Sequence, residues 1–264
     1  MEMTRKKLKQ RLKDGEAVFG IWCVIPSASI MNIIASAGFD FVIIDMEHGP
    51  ASFETAEEMI RAAQSEGVAA IVRLNQINEE QILKALDIGA DGVLTAHVSS
   101  RQNAEEAAAL TKYHPLGKRG FSPYTRAGSY SGGDITKHAA QQNERTIVGV
   151  LVEGKEGIEN LADIVKTPNL DLVYIGAYDL SQAMGIPGEV SHPRVKEAMQ
   201  DAIRTIRAAG IAAGGYVART EDDVRWMLDL GMQFITYLTD CALFHRACEE
   251  AVNEFKSAAN TARS

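Results

Sequence analysis

Short apolar runs alternate along the chain with longer stretches whose apolar positions recur every three or four residues. The short runs, rich in Val, Ile and Phe, suit strands buried on both faces. The longer ones suit amphipathic helices packed on a sheet. On this pattern a helix at 4–13 precedes a strand at 18–25 that Pro26-Ser27 ends. Ser27 or Ser29 caps a helix at 28–37, and Gly38 closes it. A strand at 41–47 follows, then a helix at 53–66 that begins after Ser52 and ends at Gly67. The unit recurs with strands at 70–74 and 92–98 and helices at 79–88 and 101–112. An insertion at 113–145 carries Lys118-Arg119-Gly120-Phe121 and Gly132-Gly133. Strands at 146–152, 172–176, 211–217 and 234–238 complete the series, with helices at 155–166, 193–209, 220–230 and 241–259.

Eight strands, each followed by a helix, are the signature of parallel βαβ units. The expected fold is α/β, a closed (β/α)8 barrel with an extra N-terminal helix. An open doubly wound sheet is the alternative. It usually has fewer strands, and no Gly-rich phosphate fingerprint follows the first strand here. The 264 residues, 46% hydrophobic and 23% charged, suffice for one such domain over 1–264.

Charge and cysteine content narrow the function classes. A net charge of −8 argues against a nucleic-acid partner. No apolar run is long enough to span a membrane, and the basic N-terminus lacks a signal-peptide pattern. Cys23, Cys241 and Cys248 have no metal-ligand spacing and read as reduced thiols of a cytoplasmic protein.

In a barrel, chemistry gathers where strands end. Phe41-Val42-Ile43-Ile44 runs straight into Asp45, Glu47 and His48 before Gly49-Pro50 breaks the chain. The third strand offers Arg73, the fourth His97, the fifth Glu153, the sixth Asp179, the seventh Tyr216, and the eighth Thr239 and Asp240. Glu153 and Asp179 follow apolar strands on adjacent units, where a carboxylate is costly unless paired or bound to a metal. Together they suit a hard divalent cation, completed by substrate oxygens and water. Zinc fits poorly without thiols or several histidines. The plain alternative for either acid is a helix cap. His48 has the chemistry of a general base or of a loop histidine with a backbone bond. Arg73 needs an anion, either a ligand's or that of Asp45 or Glu47. His97 reads as structural or supporting. Asp87 sits at a helix end, where an acid is unfavourable without a partner. With no Lys at a strand end, Schiff-base chemistry is not expected.

Ile44-Asp45-Met46-Glu47-His48-Gly49-Pro50, Val72-Arg73, Leu86-Asp87-Ile88-Gly89-Ala90, Lys118-Arg119-Gly120, Val152-Glu153 and Ile175-Gly176-Ala177-Tyr178-Asp179-Leu180-Ser181 resemble the HpcH/HpaI aldolase (2-oxo-acid aldolase/citrate lyase) family. These are class II, metal-dependent pyruvate aldolases. The match runs in order over nearly the whole chain. The resemblance implies reversible aldol cleavage of a 4-hydroxy-2-oxo acid to pyruvate and an aldehyde through an enolate. It implies a divalent metal (Mg2+, Mn2+ or Co2+) on Glu153 and Asp179 and pyruvate held against it. His48 would act in proton transfer with Asp87 as its partner, from the same chain or from a neighbouring part of the assembly, and Arg73 would stabilise the enolate. Gly176 and Ala177 would line the substrate site, with Asp45 and Glu47 behind it; by their places on the rim, and not by the resemblance, Tyr178 and Tyr216 either bound the aldehyde or pack outward against a helix. It also implies a hexamer in which the last helix packs on a neighbouring subunit. Related outcomes are oxaloacetate decarboxylation or carbon–carbon bond formation. The rival of another class is a barrel that binds a 2-oxo acid without turnover.

The chain departs from the family pattern in four places. Tyr178 stands where a small residue is usual, and Leu151 where a Gln is common. The stretch 121–130 is shorter, and Thr95-Ala96-His97 replaces a Pro-containing segment.

Overall fold

The computed structural model describes residues 7–261, with the side chain of Tyr216 outside the description. Eight parallel strands form the core: β1 (Val18–Cys23), β2 (Phe41–Asp45), β3 (Ala69–Leu74), β4 (Gly92–Thr95), β5 (Ile147–Val152), β6 (Leu172–Ile175), β7 (Ala212–Ala218) and β8 (Phe234–Thr239). Each pairs with the next, and β8 returns to β1, so the sheet is a closed barrel and not an open one.

Helices connect the strands on the outside. They are α1 (Leu8–Lys13), α2 (Ala28–Ser36), α3 (Phe53–Ser65), α4 (Glu79–Asp87), α5 (Arg101–Thr111) and α6 (Ile135–Arg145). After β5 come α7 (Gly154–Glu159), α8 (Leu161–Ile164), α9 (Ala177–Ala183), α10 (Pro193–Ala208), α11 (Glu221–Asp229) and α12 (Asp240–Thr261). Helix starts follow the polar residue that precedes each apolar stripe. Ser27, not Ser29, caps α2 by accepting from Ile30 N, and Ser52 and Asn78 cap α3 and α4 in the same way.

Three elements differ from the sequence pattern. The helix expected at 155–166 divides at Asn160, whose side chain donates to Ser99 O at 2.9 Å and whose backbone leaves the helical region. The insertion holds α6 and a short 3-10 turn at Ser129–Ser131; α6 is almost wholly polar, so no apolar stripe announced it. Helix α9 fills what reads as a loop, and it carries Asp179 in its first turn instead of at a strand end.

Side chains alternate into and out of the barrel. Trp22, Phe41, Ile43, Ile71, Leu94, Leu151, Leu172, Tyr174 and Phe234 pack inside. Phe41 and Phe234 stack with ring centroids 3.8 Å apart. Gly20 makes room for them, since a Cβ there would lie 2.3 Å from the Phe41 ring. Leu8 and Leu12 of α1 close the N-terminal end of the barrel. Lys9 of α1 reaches Asp171 at 2.7 Å, and it shares Thr146 O with buried Lys112, whose amine burial pushes down to about 7. One end is thus plugged, and the strand C-termini open at the other.

Candidate active site

The open end holds a cavity of about 330 Å3, lined by Trp22, Asp45, His48, Arg73, Leu151, Glu153 and Tyr174 together with Gly176, Ala177, Tyr178, Asp179 and Thr239. Of the strand-end residues picked from the sequence, Asp45, His48, Arg73, Glu153, Asp179 and Thr239 meet here, delivered by β2 and the loop after it, β3, β5, the β6–α9 junction and β8.

Asp45 ends β2, is buried, and organises its neighbours. Its Oδ1 accepts from the backbone N–H of Glu47 at 3.0 Å and of His48 at 3.1 Å. The same oxygen accepts Arg73 Nε at 2.9 Å, and Oδ2 pairs with Arg73 Nη2. The parallel register sets Asp45 directly opposite Arg73, so this fork is a consequence of strand pairing. Arg73 Nη1 lies 3.2 Å from Glu47 Oε2 as an ion contact, and that oxygen is buried without a hydrogen bond. The guanidinium lies over the Trp22 ring, 4.7 Å from its centroid. Trp22 Nε1 in turn donates to the Tyr174 hydroxyl at 3.3 Å, which lies 2.7 Å from Thr236 Oγ1. Arg73 is thus paired with two carboxylates, and it also lines the cavity.

Glu153, whose side chain is 8% exposed, follows β5 and touches the Asp179 carboxyl group. Burial first, and then the hydrogen bond and charge of Asp179, push Glu153 up to about 7. Two acids held together in this way share a proton or need a cation between them. Gly176 leaves the space beside them. A Cβ there would lie 3.2 Å from Glu153 Oε2 and 3.7 Å from Asp179 Oδ2. Paired carboxylate oxygens around a glycine-lined space fit a hard divalent cation. Among the described residues no three or more His, Cys, Asp or Glu are arranged so as to hold a metal ion by themselves, so further ligands would be substrate oxygens and water.

His48 is exposed on the cavity wall, free to face a ligand. Tyr178 is 52% exposed at the mouth, and Ala177 is buried beneath it. Asp87 is placed elsewhere. It ends α4 and accepts from Arg119 Nη2 at 2.7 Å, and Arg119 itself stacks on Tyr113. Among the described residues Asp87 makes no bond to His48 within one chain, so a pairing of the two would have to come from a neighbouring subunit. Asp240 is also structural: its carboxylate accepts from Val24 N and Ile25 N at 3.0 Å and steadies the loop after β1. The Tyr216 side chain lies outside the described residues.

The sequence reading missed Trp22 and Tyr174. Both point into the barrel two positions before Val24 and Gly176, and their strand parity was the available signal. It also undervalued His97, whose ring lies between Glu47 and Glu153.

A family model for HpcH/HpaI aldolase/citrate lyase matches residues 19–247. A 2-keto-3-deoxy-L-rhamnonate aldolase of Escherichia coli O9:H4 (strain HS) is 32% identical over 256 residues, covering 97% of this chain and 95% of that protein. The crystal structure of citrate synthase SbnG matches with a TM-score of 0.88 and 30% identity, over 97% of this chain and 100% of that one. An HpcH/HpaI aldolase from Desulfitobacterium hafniense DCB-2 matches with a TM-score of 0.90 and 27% identity, over 95% of this chain and 96% of that one.

Proposed function

This chain belongs to the HpcH/HpaI aldolase/citrate lyase family, and we propose that it cleaves a 4-hydroxy-2-oxo acid reversibly to pyruvate and an aldehyde. It is a carbon–carbon lyase, and the aldolase relatives along almost the whole chain leave no ground for a barrel that only binds. The observation that carries the reading is the juxtaposition of the Glu153–Asp179 pair with Arg73 in one cavity.

Retro-aldol cleavage removes the C4 hydroxyl proton as the C3–C4 bond breaks, and the electron pair moves to the C2 carbonyl oxygen. A divalent cation on Glu153 and Asp179 supplies Lewis-acid polarisation of that carbonyl when bound. Arg73 brings fixed positive charge to the side where enolate charge develops. Asp45 and Trp22 hold its plane, so little reorganisation is needed during reaction. The Arg73 hydrogens not used on Asp45 and Glu47 remain for the ligand. His48 is the group on the wall able to accept the hydroxyl proton, directly or through water, and to return it to pyruvate. Asp45 fixes its backbone. Gly176 and Ala177 leave room for pyruvate, and Tyr178, with Tyr216 as a second candidate, bounds the aldehyde.

A pyruvate-release assay over a panel of 4-hydroxy-2-oxo acids, with and without Mg2+, Mn2+ or Co2+, tests the reading. Activity is expected only with metal, and full turnover after chelation refutes it. The likeness to a citrate synthase favours a second reading, carbon–carbon bond formation from a 2-oxo acid. Net condensation without measurable cleavage would select it. Oxaloacetate decarboxylation would show as pyruvate release without an aldehyde.

A homo-oligomer, a hexamer in our proposal, accounts for α12. From Cys241 on, its residues are exposed or half-exposed, with Phe244 at 63% and Phe255 at 73%. The helix therefore does not cover its own barrel, and so large an apolar face calls for a neighbouring subunit. An assembly of that kind would also let Asp87 reach the His48 of another subunit. Sedimentation velocity that finds a concentration-independent monomer refutes it. Three free cysteines accord with a cytoplasmic location.

A further inference from the structure

His97 has no part in the reaction as described. It follows β4 in place of a Pro-containing segment, and it is not among the residues that line the cavity. It nevertheless makes three polar contacts with two carboxylates of the site. The backbone N–H donates to Glu153 Oε1 at 3.1 Å, and ring Nδ1 lies 2.9 Å from the same oxygen. Ring Nε2 lies 3.0 Å from Glu47 Oε1. The backbone takes a φ of 58°, the left-handed region that a non-glycine residue seldom enters without a local reason. In that conformation the amide and the ring reach one carboxylate oxygen together.

We propose that His97 is a positioning residue that joins the two halves of the active site and fixes which oxygen of Glu153 faces Asp179. The inference rests on the reading of Glu153 and Asp179 as metal ligands. With Oε1 engaged twice by His97, Oε2 is the oxygen left beside Gly176, on the side of Asp179 Oδ2. Through Nε2, His97 also restrains Glu47, whose other oxygen is in ion contact with Arg73. The result is one continuous chain, Asp45–Arg73–Glu47–His97–Glu153–Asp179, running from β2 to α9. A displaced His97 ring would loosen the carboxylate pair and the arginine together. His97 touches ligand-holding groups and not the reacting atoms, so it is not a catalytic residue.

The test compares His97→Ala and His97→Asn in the full-length protein. Asn tolerates a left-handed backbone. Its amide nitrogen reaches about as far as imidazole Nδ1 but not as far as Nε2, so it keeps the Glu153 contact and drops Glu47. Mn2+ affinity of the metal-stripped protein is read by calorimetry, and kcat and KM are measured separately. His97→Ala is expected to weaken Mn2+ binding about ten- to a hundredfold, the usual cost of losing a residue that orients a metal ligand. His97→Asn is expected to recover most of that affinity while kcat stays low, because Glu47 and Arg73 remain unlinked. Native Mn2+ affinity in a folded His97→Ala protein overturns the proposal. If that variant does not fold, native kcat in His97→Asn overturns it. Glu153→Gln is the control: retained Mn2+ binding there sinks the metal reading itself, whereas lost binding there with native binding in His97→Ala sinks only the role of His97.

Discussion

Metal binding should displace a proton from Glu153, and the amount follows from the structure. Burial and the Asp179 carboxyl group hold Glu153 at about 7 in the metal-free protein. A group with that value is about 90% protonated at pH 6 and about 10% at pH 8. A cation needs the charged carboxylate, so binding at pH 6 must release about 0.9 proton from this residue and at pH 8 only about 0.1. The same linkage weakens the apparent Kd about tenfold between pH 8 and pH 6, whereas an ordinary glutamate would change it hardly at all over that range. Titration calorimetry of Mn2+ into stripped protein, in two buffers of different ionisation enthalpy at each pH, counts the protons. A pH-independent Kd with no proton release would refute the argument, since the two carboxylates would then have to be charged and apart before the metal arrives. Folding reports the same shift with a defined sign. A carboxyl group raised in the folded state binds more protons than its unfolded counterpart between about pH 4.5 and pH 7. The metal-free chain should therefore lose stability from this source as pH rises through that window. Glu153→Gln should remove the loss and unfold at a higher temperature than the native chain above pH 7.

Arg73→Lys keeps a charge but not the planar fork that spans Asp45, and turnover should fall on the order of a hundredfold while Mn2+ binding persists. Near-native kcat would make Arg73 a purely structural partner of Asp45 and Glu47. Tyr178→Ala should shift or broaden aldehyde use while solvent-proton exchange into pyruvate continues, because the ring borders the mouth and not the carboxylate pair. Lost exchange with unchanged aldehyde preference would place Tyr178 in support of Asp179. Phe41→Ala removes half of the stacked pair at the barrel centre and should cost about 3–5 kcal/mol in urea unfolding. A loss under about 1 kcal/mol would mean that the interior collapses to fill the gap.

Most of the barrel was legible in the chain because its strands are buried on both faces. Continuous apolar runs such as Phe41-Val42-Ile43-Ile44 admit few other structures, and capping residues such as Ser52 and Asn78 mark helix starts locally. The site was legible to the same depth. Asp45, Arg73 and Glu153 each stand at or just past the end of such a run, and the family resemblance placed roles on them. What the sequence could not carry was contact between distant positions. That Asp45 lies opposite Arg73 is a fact of strand register. That Trp22 lies under the arginine depends on which face of β1 points inward. That His97 bridges two glutamates depends on one left-handed residue, a choice that local propensity gives little reason to expect. Helices α6 and α9 escaped notice because one is nearly all polar and the other is short, so each depends on its surroundings for stability. The separation of Asp87 from His48, and an apolar α12 lying off its own barrel, emerge only when the chain is closed in three dimensions. Periodicity records that a face is apolar, but the tertiary fold decides what, if anything, in the same chain is near enough to cover it.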